Sequence, residues 1–176
     1  MNIQLILVSF IEGITEFLPV SSTAHLIIFS KLTEINLTDP YIKFYLLFIQ
    51  FGALLAGMIL FSKRILTNKH LFTNIVISFI PSAVLGFIFY KMFKKLLEGN
   101  MLLLASMLIV GGLVFIYLEK VFVKKPSMQD HSKNFLTKGD AFVVGLAQAV
   151  AIIPGVSRSG ATIISGMFRG VQKAVI

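Results

Sequence analysis

Apolar residues run along this chain in long blocks, and the blocks are interrupted in two different ways. Three are continuous: Tyr41–Phe61 with 21 residues, Leu71–Tyr90, and Met101–Leu118 with 18. About 20 helical residues rising 1.5 Å each are enough to cross a hydrocarbon layer of ~30 Å, so each block predicts a membrane-spanning helix. Polar groups inside them are few: Lys43 near one end, where its stem can snorkel, Gln50, and Pro81 with Ser82. The segments between, Ser30–Pro40, Ser62–His70, Lys91–Asn100 and Glu119–Lys138, are hydrophilic. Two further blocks stop early. Met1–Ile11 runs into Glu12–His25, EGITEFLPVSSTAH, before Leu26–Phe29 resumes. Phe142–Ile153 runs into Pro154–Thr162, PGVSRSGAT, before Ile163–Phe168. Helices of that length rise roughly 16–18 Å, about half of the hydrocarbon layer.

Backbone that leaves the helix at half depth must be enclosed by protein or line a cavity, because lipid satisfies none of its hydrogen bonds. A pair of interrupted hydrophobic segments is the pointer to a two-repeat fold with its site between the repeats. Shifting the sequence by 135 positions lays Pro19 on Pro154 and Ser22 on Ser157, a weak identity signal. Topology adds to it. Three spans, an odd number, separate the broken segments, so two re-entrant segments enter from opposite faces and their tips meet at mid-membrane. The expected fold is therefore all-α, a polytopic integral membrane protein with an inverted repeat and two re-entrant helix hairpins. Residues 1–176 form one membrane domain, with 1–122 the first repeat and 138–176 the start of an incomplete second. A matching second half needs three more spans, roughly 80–90 residues with their loops. The chain is expected to be cut short.

Composition agrees with the pattern. Of 176 residues 56% are hydrophobic and 14% charged, and the mean hydropathy is +0.88. The net charge of +8 arises from lysines placed between apolar blocks, with no basic stripe interleaved with aromatics, which excludes nucleic-acid binding. Loops 62–70 and 119–138 carry eight Lys/Arg against four in loops 30–40 and 91–100, which places the first pair in the cytoplasm. The first broken segment then enters from the outer face. With no cysteine, disulfides and thiolate metal sites are excluded. The first lysine is Lys31, so the N-terminus lacks the basic region of a removable signal peptide.

A charge at the bilayer centre costs on the order of 2.5–3.5 kcal/mol, so the ionisable groups of the broken segments are functional candidates. Glu12 and Glu16 are four residues apart and share a helix face. They suit a carboxylate pair for a divalent cation, or an acid and a base; the bland alternative is a neutral structural pair. Ser21, Ser22 and Thr23 either cap the returning half-helix or join an anion site at its N-terminus. His25, three residues after Ser22, is placed to reach that hydroxyl, the nucleophile–base pairing that activates serine. Arg158 between Ser157 and Ser159, with Gly155, Gly160 and Thr162, has the chemistry of a phosphate cradle. The competing reading pairs Arg158 with Glu12 or Glu16 as an inert ion pair. Gln50 and Gln148 are expected to hydrogen-bond between helices. Pro81 is expected to kink its span, and Gly111–Gly112 to pack closely. His70 and His131 carry no site signal. Together these groups fit a phosphate ester or anhydride with a metal ion, carried on a lipid.

EGITEFLPVSSTAHL and PGVSRSGAT, with IPSAVLG at Ile80–Gly86, resemble the signature regions of the bacterial undecaprenyl-diphosphate phosphatase family, the bacitracin-resistance proteins. The resemblance covers about residues 2–168; the tail Arg169–Ile176 fits less well. It implies hydrolysis of undecaprenyl diphosphate to the monophosphate carrier of cell-wall synthesis, in the bacterial inner membrane. It also implies a site opening outward between two re-entrant hairpins and a divalent cation, Mg²⁺ or Ca²⁺. By motif, Glu12 and Glu16 are the metal or acid/base carboxylates, and Ser22 and His25 catalytic groups. Ser157, Arg158, Ser159 and Thr162 bind diphosphate. The nucleophile stays open among serine, histidine and a metal-bound water. Oligomeric state also stays open, with a homodimer among the alternatives. Competing classes are a transporter or lipid flippase, which shares broken helices and inverted repeats, and an inactive truncated remnant.

Overall fold

The computed structural model describes residues 3–97, 101–123, 135–153 and 155–171. The expected elbow proline Pro154, loop residue His131 and the linker lysines Lys124, Lys125 and Lys133 lie outside them. Seven helices occupy the described residues: α1 Ile3–Thr15, α2 Ser22–Leu32, α3 Pro40–Thr67, α4 Lys69–Leu97, α5 Met101–Val123, α6 Lys138–Val150 and α7 Arg158–Phe168.

The ends of these helices are set by caps that hydropathy does not register. Asp39 accepts from Tyr41 N at 2.7 Å, with Pro40 in the first helical position, and starts α3. The helix runs past the apolar block to Thr67, with Arg64 in its last turn complementing the helix dipole. Asn68 accepts from Leu71 N at 3.0 Å and opens α4, which continues through Pro81. Helix α6 starts four residues before its apolar block because Thr137 and Asp140 form a reciprocal capping box.

α3 and α4 are inside-out relative to a soluble bundle. Their apolar stretches are only 6% and 11% buried, and Phe44, Leu47, Phe51 and Phe79 stand more than 60% exposed. A soluble protein rarely leaves so continuous an apolar surface in water. Both helices are long and apolar enough to cross a bilayer.

Helix α1 runs parallel to α3. Ser9 Oγ lies 2.6 Å from Tyr45 Oη, Tyr45 Oη donates to Leu5 O at 3.0 Å, and the Phe17 ring rests on Gly57. Helix α2 returns beside α1, so that Gln4 Nε2 donates to Thr33 O at 2.9 Å near the starting end. Helix α6 likewise runs parallel to α4: Asn74 Nδ2 donates to Leu136 O at 2.6 Å, Ser82 Oγ to Gly145 O at 2.8 Å, and Ile152 reaches Gly86. A side chain at Gly145 would collide with the Ser78 backbone, so glycine sets how closely these two helices approach. Helix α7 folds back on α6, tied at its end by Arg169 Nε donating to Asp140 Oδ1 at 2.8 Å. One hairpin thus starts at the Pro40 end of α3 and the other at the α3–α4 turn, and they approach each other tip first.

Two expectations about packing change. Among the described residues a Cβ at Gly111 or Gly112 would meet nothing within 4 Å; these glycines line an open groove between α5 and α7 instead of a close helix contact. Gln50 makes no hydrogen bond among the described residues, because it sits on the sparsely packed α3.

Candidate functional site

The first elbow is residues 16–21, between α1 and α2. Leu5, Val8, Glu12 and Thr15 fall on one face of α1 and are the residues it buries. Glu12 is 1% exposed, and among the described residues no N–H or O–H donates to either of its carboxylate oxygens. The carboxyl of Glu16 and the Arg158 guanidinium both lie near enough to act on it electrostatically. Glu16, just past the helix end, accepts a short 2.6 Å hydrogen bond from Ser22 Oγ. Ser22 is buried.

Ser21, at the N-cap of α2, has φ 61° and ψ 88°, a left-handed conformation that a non-glycine residue adopts rarely. It makes no side-chain cap. Such strain costs on the order of 1–3 kcal/mol and concentrates at functional sites. Here it aims the Ser21 carbonyl at His25, whose Nδ1 lies 2.9 Å away. A carbonyl only accepts, so Nδ1 is the donor. The expected Ser22–His25 pair is therefore replaced by Ser22–Glu16 and His25–Ser21. The physical reason is the elbow's turn, which carries the Ser22 hydroxyl back toward α1. The capping role considered for Ser21–Thr23 is not taken by Ser21 or Ser22.

At the second elbow, capping does occur. Ser157 accepts from Gly160 N at 3.1 Å and starts α7, and its hydroxyl lies 3.0 Å from Ser159 Oγ. Gly155 has φ 87°, and a Cβ there would lie 2.8 Å from Met107 Cβ, so both turn and packing require glycine. Thr162 Oγ1 donates to Arg158 O at 3.0 Å and accepts from Gln148 Nε2 at 3.1 Å.

The two elbows touch. Ser159 Oγ donates to Leu18 O at 2.8 Å across 141 residues of sequence, and a Cβ on Gly160 would lie 3.5 Å from Pro19 Cβ. Beside this contact a cavity of roughly 480 Å³ is lined by Ser21 of the first elbow and Thr23 of α2, and by Gly155 of the second elbow and Arg158 at the start of α7. Arg158 makes no ion pair among the described residues, so the inert Glu–Arg pair is not formed and its donors remain available. The structure thus brings Ser21 and Thr23 to one cavity with Arg158, and Ser159 and Gly160 against Leu18 and Pro19; Glu16, Ser22 and His25 bond within the first elbow and α2, and Thr162 bonds within the second hairpin. Sequence reasoning passed over Ser82, whose hydroxyl faces Gly145 O and Gln148 Oε1; a serine next to a mid-span proline was the available signal.

As a test of fit for a divalent cation, the two unpartnered, buried oxygens of Glu12 are suitable hard ligands, with Glu16 one turn on. Among the described residues no group of three His, Cys, Asp or Glu could hold a metal. Such a site supplies two carboxylates at most, which suits Mg²⁺, an ion that keeps several waters and shares substrate phosphate oxygens.

Fold and site define an all-helical protein with two helices long and apolar enough to cross a bilayer, in which an acid- and hydroxyl-bearing elbow packs against one that carries Arg158 and two serines. The chain belongs to the family described as bacitracin resistance protein BacA, which it matches over residues 5–175. The match thus continues through Arg169, whose ion pair with the buried Asp140 gives that part of the tail a structural role. The chain is 39% identical over 172 residues to the undecaprenyl-diphosphatase of Aquifex aeolicus, covering 98% of this chain and 66% of that protein. It is 43% identical over 171 residues to that of Persephonella marina, covering 97% and 66%. With the corresponding protein of Flavobacterium psychrophilum it shares 41% over 165 residues, 94% of this chain and 60% of the other. The chain therefore spans just under two thirds of the length of these relatives.

Proposed function

We propose that this chain carries the site of a lipid diphosphate hydrolase, which converts undecaprenyl diphosphate to undecaprenyl phosphate and inorganic phosphate. The observation that carries the reading is the meeting of the elbows: Ser159 bonds the Leu18 carbonyl, and Arg158 shares a cavity with Ser21 and Thr23, the neighbours of the Ser22–Glu16 pair. The relatives' shared name, undecaprenyl-diphosphatase, supplies the substrate.

Arg158 and the first turn of α7 bind the diphosphate, the guanidinium in bidentate fashion and the helix N-terminus through its dipole. Ser22 is the best-prepared nucleophile, since Glu16 already accepts its proton. Attack of Ser22 Oγ on the terminal phosphorus passes that proton to Glu16 and expels the lipid monophosphate. Water then releases phosphate from the serine oxygen and restores the hydroxyl. Glu12, with Glu16, would hold Mg²⁺ or Ca²⁺, which when bound neutralises charge on the phosphoryl oxygens. His25, oriented by its Nδ1 bond to the Ser21 carbonyl, is a second candidate for proton transfer beside the same elbow.

The two hairpins are re-entrant in this reading. Phe17 at the first tip lies against Gly57, well inside the length of α3, and the Leu18 carbonyl of the elbow is bonded by Ser159 of the second. Their opposite entry supports an inverted repeat, with 1–122 the first unit and 138–176 the start of the second. Loop charge places the α3–α4 turn in the cytoplasm and the mouth of the first hairpin at the outer face of the bacterial inner membrane.

The test is phosphate release from undecaprenyl diphosphate by the purified chain in detergent, with Arg158→Ala as control. Release that the substitution nearly abolishes is expected. A transporter or flippase would release none, and neither would an inactive remnant.

A further inference from the structure

Gln148, on α6, lines the site cavity and also a second cavity of roughly 370 Å³ that runs in from the α3–α4 turn past Arg64, His70 and Asn74. Of the other residues, Phe79 alone lines both. The partition between the two spaces is therefore one side-chain layer thick. Gln148 is held there by its NH₂ end. The single proton of Thr162 Oγ1 goes to Arg158 O, so that oxygen can only accept from Gln148, at 3.1 Å. This directs the Gln148 NH₂ toward α7 and its Oε1 toward α4, where Ser82 Oγ lies 3.3 Å away. One amide thus bonds α6 to Thr162 of α7, whose hydroxyl in turn holds the Arg158 carbonyl, with Ser82 of α4 packed against its other end.

We infer that Gln148 is a positioning residue: it closes the site off from the cavity at the α3–α4 turn and, through Thr162, holds the first turn of α7 against α6. The role in turnover rests on the hydrolase reading above; the partition does not. Glutamate at this position has nearly the same shape but offers an acceptor to an acceptor. Thr162 would then have to turn its proton off the Arg158 carbonyl, loosening the turn.

The chain has no cysteine, so single thiols report without background. Ala151 lines only the site cavity of the two, and Asn68 only the other. In vesicles, a membrane-impermeant thiol reagent confined to the face of the α3–α4 turn should label Asn68→Cys and spare Ala151→Cys. Adding Gln148→Ala, or the milder Gln148→Asn that shortens the side chain by one methylene, should expose Ala151→Cys from that face. Equal labelling of Ala151→Cys with and without Gln148, while Asn68→Cys labels normally, overturns the partition. In the phosphate-release assay, Gln148→Glu should lower kcat about tenfold to a hundredfold with little change in KM, the size of effect expected from a small misplacement. It should not add to Thr162→Val, because both break one relay. A wild-type chain that releases no phosphate overturns the hydrolase reading, and the labelling still decides the partition. Unchanged kcat in Gln148→Glu of an active chain overturns the positioning role.

Discussion

Ser22 Oγ donates to Glu16 Oε2 at 2.6 Å, back across the elbow that separates α1 from α2. In sequence the serine is closer to His25, yet the turn commits its hydroxyl to the carboxylate. Glu16→Gln keeps the shape and removes the proton acceptor. It should lower phosphate release by about 10²–10⁴-fold, the range for a lost general base. Ser22→Ala should fall similarly, and the double variant no further, since the two act as a unit. An additive double variant, read from kcat/KM, would separate their roles.

Glu12 offers two buried oxygens that no donor among the described residues reaches. Chelation with EDTA should abolish activity, and Mg²⁺ or Ca²⁺ should restore it. Glu12→Gln should shift the cation titration to higher concentration in the same assay. Full activity in the presence of EDTA would remove the cation from the site.

At the second elbow, Gly155→Ala combines a left-handed residue with a Cβ 2.8 Å from Met107 Cβ. The expected cost is about 2–4 kcal/mol from the conformation and the overpacking together. Circular dichroism melting in detergent should show it as a lower apparent Tm.

Asp140 is fully buried, accepts from Arg169 Nε and from Thr137 Oγ1, and completes the cap of α6. Asp140→Ala therefore removes a cap as well as an ion pair, and should cost about 2–4 kcal/mol. Arg169 is 45% exposed, so Arg169→Ala should cost less, about 1 kcal/mol, because water screens the pair and Thr137 still serves the carboxylate. The order of the two melting temperatures checks this.

What hydropathy alone determined was the set of helices and the stretches at which two of them break. Membrane burial forces those features to be written in composition: a span needs about 20 apolar residues, and a charge such as Glu12 or Arg158 is too costly to leave there without a role. Helix ends at Asp39 and Thr137 were also present in the sequence, but as polar caps inside stretches that read as loops. The tertiary structure alone decided who bonds to whom. The left-handed turn at Ser21, the choice of Glu16 over His25 as the partner of Ser22, and the Ser159–Leu18 contact between elbows depend on backbone direction. The open floor at Gly111–Gly112 and the two-sided placement of Gln148 depend on which helices fail to meet, and helical spacing along one segment contains no record of that.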